Sequence, residues 1–306
     1  AGIGMLIGLL IFLFGQRTLK GLAEPPSPEH LHRPVFGPFS PVHLIGIGTV
    51  LAVVIFWMLL QQTRLVGFVL GSFSVVIVGF ILWISLMKCK KVERDRMLVL
   101  LFLQLGMTAF ATLFEQAGGS LNLFADRHVN RVVGAVEIKA SQLQSVVPGT
   151  IVLLAPFFAW LWPTLAARGQ NPRTPTKYAL TMLLMGGGFG LLALATRFFS
   201  VNHLIPLGWL LLAYVLFGVA DLIIVSVCYT TITLLSIPRI VGMMMGTSML
   251  AISAANYLAA MIATWAGPSR TASSSIPPAE THAAYDFLFS TLSGAGFLTS
   301  LILLAL

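Results

Sequence analysis

Two carboxylates in this chain stand where carboxylates are costly. Glu115 directly follows a long apolar run, and Asp221 lies deep inside another, with apolar residues filling most of both flanks. A carboxylate at the centre of a membrane helix costs about 2.5–3.5 kcal/mol on the insertion scale. It normally faces a bundle interior or a watery pathway, and marks a functional site. The chemistry open to such a group is binding and releasing a proton. Burial raises a carboxyl pKa and a nearby cation lowers it, so a movable cation would switch the protonation. Each acid also has a plainer reading: Glu115 as a helix-end carboxylate reaching interfacial water, Asp221 as a buried, hydrogen-bonded acid. Glu115 opens the polar stretch Glu115-Gln116-Ala117-Gly118-Gly119-Ser120-Leu121-Asn122. On a continuous helix Glu115, Gly118, Gly119 and Asn122 would share one smooth face. Tyr214, Gly218, Asp221 and Cys228 recur at helical spacing around the second acid.

The elements that must position these groups are membrane helices. The chain has 306 residues, 57% hydrophobic and only 9% charged, with mean hydropathy +0.93. A soluble domain carries about 25% charged residues. The apolar residues fall in runs of about 20, the length that crosses about 30 Å of hydrocarbon. We expect an all-α, polytopic bundle of nine apolar segments. The first is a stump at about 1–15, too short to span and without the flanks of a signal peptide. We therefore expect it to be the end of a helix whose start is missing, and the sequence to be a fragment. The others lie at about 43–62, 66–87, 97–125, 147–166, 178–199, 206–235, 240–266 and 286–306. The second and third, parted by Thr63-Arg64-Leu65, would form a tight hairpin over 43–87.

The stretches between them are polar or irregular. Residues 16–42 hold Pro25, Pro26, Pro28, Pro34, Pro38 and Pro41 with His30 and His32. That density of proline excludes a continuous helix. No cysteine or third close histidine completes a metal site there, so solvated histidines are the better reading. Residues 88–96 form a basic linker (Lys88, Lys90, Lys91, Arg94, Arg96), and 267–284 a Ser/Pro-rich loop. With alternating sides, these five join Arg17, Lys20, Arg33, Arg168, Arg173, Lys177 and Arg239 on one face. Arg64, Arg127, Arg131, Lys139, Arg197 and Arg270 fall on the other, so the first face is cytoplasmic and holds the carboxyl terminus. Cys89 and Cys228 are ordinary thiols, with no disulfide framework. The formal charge of +8 fits this loop bias and not a nucleic-acid groove. Phosphate loop, zinc pair and nucleophile elbow are all missing from the sequence, which argues against an ATP-driven pump or an enzyme, and no cofactor is expected. Gly186-Gly187-Gly188 and Gly190 suit close helix packing. Pro148, Pro156 and Pro163 are expected to interrupt the fifth segment.

Several stretches together resemble the proton-dependent oligopeptide transporter family, a branch of the major facilitator superfamily. They are Ala1 to Arg17, Phe114 to Arg127, Gln144-Ser145-Val146-Val147-Pro148, Leu153-Leu154-Ala155-Pro156, Ala159-Trp160-Leu161-Trp162, Thr174 to Leu180, Pro238 to Gly246, and Asn256-Tyr257-Leu258-Ala259. The resemblance implies the carboxyl-terminal half of a transporter: the end of helix six at 1–15, two inserted helices of the bacterial type at 43–87, and helices seven to twelve at 97–306. It implies a proton-coupled symporter of di- and tripeptides in the cell (inner) membrane, with protons, the bilayer and the missing amino-terminal half as partners. Glu115 falls at the family's seventh-helix acid, implied in proton coupling. Asp221 falls near the tenth-helix glutamate that receives the peptide's amino end. Gln116, Ser145, Ser248 and Asn256 are further substrate-binding candidates. Three positions depart from the family pattern. Val147 replaces the eighth-helix asparagine, the Ser-Pro after the tenth-helix glutamate is missing, and Ser248 replaces an aromatic. These departures motivate a second expectation, a transporter of another small organic solute. A third is a non-transporting membrane scaffold or truncated product.

Overall fold

The computed structural model describes residues 2–19, 40–264 and 278–305. The proline- and histidine-rich stretch with His30 and His32, and most of the Ser/Pro-rich loop, lie outside these residues. Two compact units divide the chain, 1–66 and 67–306. The first holds α1 (Gly2–Gly15), a 3-10 turn at Gln16–Leu19, and α2 (Pro41–Leu60), whose proline sits in the first turn, where its missing N–H is not needed. Only Gln61 and Gln62 separate α2 from α3 (Thr63–Met87), so Thr63, Arg64 and Leu65 belong to a helix and not to the expected turn. Eight described helices are long and apolar enough to cross a membrane, and α1 is a shorter apolar helix, matching the nine expected segments.

In the second unit, α4 (Lys91–Phe114) starts well before the apolar run does. Glu93 accepts the Lys90 backbone N–H at 3.1 Å, and an acid in the first turn suits the helix dipole. Only Lys88 to Lys90 of the basic stretch 88–96 therefore lie between helices. A break follows α4, then α5 (Ser120–His128), short strands β1 (Val129–Asn130), β2 (Val132–Val133) and β3 (Val136–Glu137), and the single turn α6 (Ala140–Leu143). The helices α7 (Val146–Ala167), α8 (Thr174–Phe198), strand β4 (Ile205–Pro206), α9 (Leu207–Leu235), α10 (Val241–Ala263) and α11 (Pro278–Leu304) complete it. The expected interruption of the fifth segment does not occur: α7 runs unbroken through Pro156 and Pro163, and Pro148 occupies its first turn.

Helix α8 is the centre of this unit. It packs on α9 and α11, while α10 packs on α4 and α7 on α9. Glycine sets the closest approaches. A Cβ on Gly296 would lie 2.7 Å from the Cα of Gly186, and one on Gly190 would lie 3.0 Å from the Ser293 hydroxyl. Gly188 makes room for the Phe217 ring, whereas Gly187 faces open space. The hydroxyls of Ser293 and Ser300 donate across the same contact to the carbonyls of Gly186 and Ala179, both at 2.8 Å. Large apolar side chains such as Trp57, Phe68 and Leu153 point outward, as in helices whose solvent is lipid.

One end of the bundle is tied by short-range polar contacts that apolar periodicity does not foretell. Strand β1 pairs in parallel with β4, Val129 against Ile205. The buried His128 ring donates from Nδ1 to the His203 carbonyl at 3.1 Å and accepts at Nε2 from the Thr281 hydroxyl at 2.9 Å. Left-handed backbone at Asn202 (φ 53°) and His203 (φ 64°) shapes the loop that presents this carbonyl. Arg131 closes the β2–β3 hairpin by pairing with Asp126 at 2.9 Å and Glu137 at 3.1 Å.

Candidate binding site around Glu115 and Asp221

The stretch from Glu115 is a break and not the continuous helical face expected. Helix α4 ends at Phe114, Glu115–Ala117 make a 3-10 turn, and Gly119 (φ −102°, ψ −99°) leaves the helical region before α5 begins. The polar groups that the break frees are met locally. The N–H of Gly118 reaches the Glu115 carbonyl at 3.3 Å, and that of Gly119 reaches the Gln116 carbonyl at 3.2 Å. Gln144, just before α7, donates its amide to the Ala117 carbonyl at 3.1 Å. Non-helical backbone at membrane depth is tolerated only where protein or a cavity satisfies it in this way. At Gly118 and Gly119 no neighbouring atom comes closer than 3.9 Å to a built Cβ, so the space at the break would admit an alanine.

Gln116 is the fastener of the break. It is 1% exposed, its amide donates to the Ala259 carbonyl of α10 at 3.0 Å, and its carbonyl oxygen accepts from Ser120 at 2.6 Å. Both ends of its side chain are thus engaged inside the chain.

Glu115 and Asp221 are both half-buried, and they lie within electrostatic range of each other. Their segments meet at one end, where β1 pairs with β4. Among the described residues, neither carboxylate has an ion-pair partner or a hydrogen bond to its side chain. Tyr214, Gly218 and Cys228, which share a helical spacing with Asp221, are buried on the inner side of α9, so Asp221 stands at the edge of that face. One turn before Asp221, a Cβ on Gly218 would lie 2.8 Å from Thr150 and 3.0 Å from the Val147 carbonyl. Helix α7 therefore leans on α9 close to the acid through the Thr150 side chain and the Val147 carbonyl; the Thr150 hydroxyl donates to the Val146 carbonyl at 2.8 Å, and the Val147 side chain is apolar and buried.

The remaining sequence candidates separate. Ser145 and Asn256 are exposed, each bonded to its own chain: the Ser145 hydroxyl to the Gln142 carbonyl at 2.6 Å, the Asn256 amide to the Ile252 carbonyl at 3.0 Å. Ser248 is 1% exposed and accepts from Gln104 Nε2 at 2.6 Å, joining α10 to α4 inside the bundle. Gln104 and Gln144 were not singled out from the sequence as site residues. Gln104 is a lone amide within an apolar run, and Gln144 stands at the edge of one, in a stretch that carries the family resemblance.

The family model described as the POT family matches residues 1–276. The chain belongs to the POT family. Dipeptide and tripeptide permease B of Photorhabdus luminescens is 26% identical to this POT chain over 305 residues, covering 99% of it and 61% of the relative. Dipeptide and tripeptide permease A of Erwinia pyrifoliae is 30% identical over 265 residues, covering 85% and 51%. Among solved structures, a mutant of a peptide transporter POT in complex with alafosfalin superposes with a TM-score of 0.75 at 26% identity. It covers 99% of this chain and 58% of that one. Tetrameric PepTSo2 gives a TM-score of 0.76 at 22% identity, with 99% and 60% covered. The chain thus spans about half to three fifths of the length of the relatives it matches. Its apolar helices and its family make it a multi-pass membrane protein with the transporter fold.

Proposed function

We propose that this chain is the carboxyl-terminal part of a proton-coupled symporter of di- and tripeptides, working with an amino-terminal half that the sequence does not contain. The observation that carries this reading is the pair Glu115 and Asp221: two half-buried acids within electrostatic range, one at a helix break, neither with an ion-pair partner among the described residues. Glu115 takes and releases the coupled proton and pairs with basic groups of the other half. Asp221 receives the substrate's amino group. Gln116 holds the break that sets the direction of Glu115, and does not bind solute, because its amide is already used at both ends. Ser145 and Asn256 contact the other half or the solute from the exposed side. Ser248 tunes the site from behind, through Gln104. The two halves rock about a shared central cavity, in the inner membrane with the carboxyl terminus cytoplasmic. A membrane potential of 100 mV contributes about 2.3 kcal/mol per charge carried inward.

The test is peptide uptake by the complete transporter in liposomes, with and without an inward proton gradient. We expect gradient-dependent dipeptide uptake, its loss in Glu115→Gln, and at least a tenfold weaker apparent affinity in Asp221→Asn, the size of one charge-assisted bond. Uptake that ignores a verified gradient, or that survives Glu115→Gln unchanged, would sink the coupling role. A second reading, another small organic solute, is favoured by Val147, a buried side chain without hydrogen-bonding groups where the family pattern has an asparagine. Failure of a dipeptide panel to compete for uptake would select it.

A further inference from the structure

Helix α3 is held at two places and stands away between them. Gly67, near its start, lies so close to the Tyr257 ring of α10 that no Cβ fits there. Farther along, Ile81 and Ser85 are fully buried. Between these holds a cleft of about 440 Å³ opens, walled by α3, α4 and α10. Small-molecule sites occupy about 300–1,000 Å³.

Its walls are leucine, valine, alanine and phenylalanine, with no charged side chain among the lining residues. Four polar side chains interrupt them: Ser74, Gln104, Thr108 and Thr247. Thr108 and Thr247 spend their hydroxyl protons on their own helices, donating to the carbonyls of Gln104 and Met243, both at 2.9 Å. They offer the cleft only acceptors. Gln104 is 5% exposed and its Nε2 is committed to Ser248, which leaves Oε1 buried and without a partner. The Ser74 hydroxyl is likewise buried and unpartnered. An acceptor in that position is costly unless a donor reaches it. One donor on an otherwise apolar molecule satisfies this acceptor, while the apolar walls take the rest of that molecule.

We propose that this cleft binds an uncharged, hydroxyl-bearing hydrophobe drawn from the bilayer, whose hydroxyl donates to Gln104 Oε1 while its chain lies along Leu98, Leu101 and Leu250. A zwitterionic peptide does not suit a cleft without charged walls, and none of the cleft's lining residues is Glu115 or Asp221. Occupancy fills the gap behind α3 and reaches Ser248 through the same glutamine, so the ligand braces the join between α4 and α10.

The experiment is photolabelling of the protein in nanodiscs with a diazirine-bearing C12 alcohol, against the matching alkane and the matching carboxylate. We expect the alcohol to label residues 98–108 or 247–254, about five to ten times more than the alkane, the preference that one net hydrogen bond gives. Gln104→Leu removes that preference. Ala251→Phe, which fills the cleft and leaves Gln104 in place, removes the labelling with the protein still folded by its melting curve. Equal labelling by alcohol and alkane overturns the hydroxyl site, as does a cleft that stays unlabelled and holds water only. Labelling untouched by Ala251→Phe also overturns it. None of these readouts depends on transport, so this inference and the symport reading fail separately.

Discussion

The α8–α11 contact and the α4–α10 contact join helices by opposite means. In the first, two glycines bring backbone against backbone, and serine hydroxyls bond to carbonyls of the facing helix. In the second, the tie is made by long amides: Gln104 to Ser248 and Gln116 to the Ala259 carbonyl. A contact between small residues has one geometry, because a shift of an ångström produces collision. A contact through a glutamine has several, because three side-chain torsions can absorb the shift. The acid of the glycine contact, Asp286, already has its cation in Arg197 at 2.7 Å. The amide contact lies beside Glu115 and the helix break. The bundle therefore keeps its rigid join away from the groups that must change partners.

Overfilling the glycine join has the largest expected effect. Gly296→Leu forces a side chain into a space 2.7 Å from the Gly186 backbone. We expect a loss of about 3 kcal/mol, the upper end for overpacking, read as a lower melting temperature in detergent. A variant that melts like the parent would erase the contrast between the two contacts. Gln116→Ala removes both bonds that fasten the break, and we expect about 2 kcal/mol. Its sharper readout is local: hydrogen exchange rising over residues 115–123 with α8 unchanged. Protection lost equally in both regions would show one cooperative join and not two. Gly119→Ala has the smallest effect, adding up to about 1 kcal/mol of helix preference across the break. It fits without a clash. We expect slower uptake with little change in melting; unchanged uptake would mean that the break need not move.

The class of fold was plain from the residues because run length and charge are local properties. Nine apolar runs became eight spanning helices and a short one, and the glycines at 186, 188 and 190 found close neighbours. The break was not plain. Gly118-Gly119 fits equally a smooth helical face and an interruption, and the choice fell to Gln144 and Gln116, whose partners lie on other helices. Pro156 and Pro163 misled in the opposite direction, since a membrane helix tolerates the lost bonds. Glu115 and Asp221 announced themselves as acids in apolar runs. That Ser248 turns inward to Gln104, while Asn256 on the same helix is exposed, depends on helix rotation, which a nearly uniform apolar sequence does not encode.

The β1–β4 ladder has a consequence for the order in which the chain acquires its shape. The His128 ring meets a carbonyl 75 residues later and a hydroxyl 153 residues later. A ribosome adding about 5–20 residues per second completes the first of these partners several seconds after His128 has emerged, and the second later still. For that interval the end of α5 lacks the two groups that its buried imidazole will meet. The fastening of His128 is therefore a late event in biogenesis, and it depends on completion of the final helix.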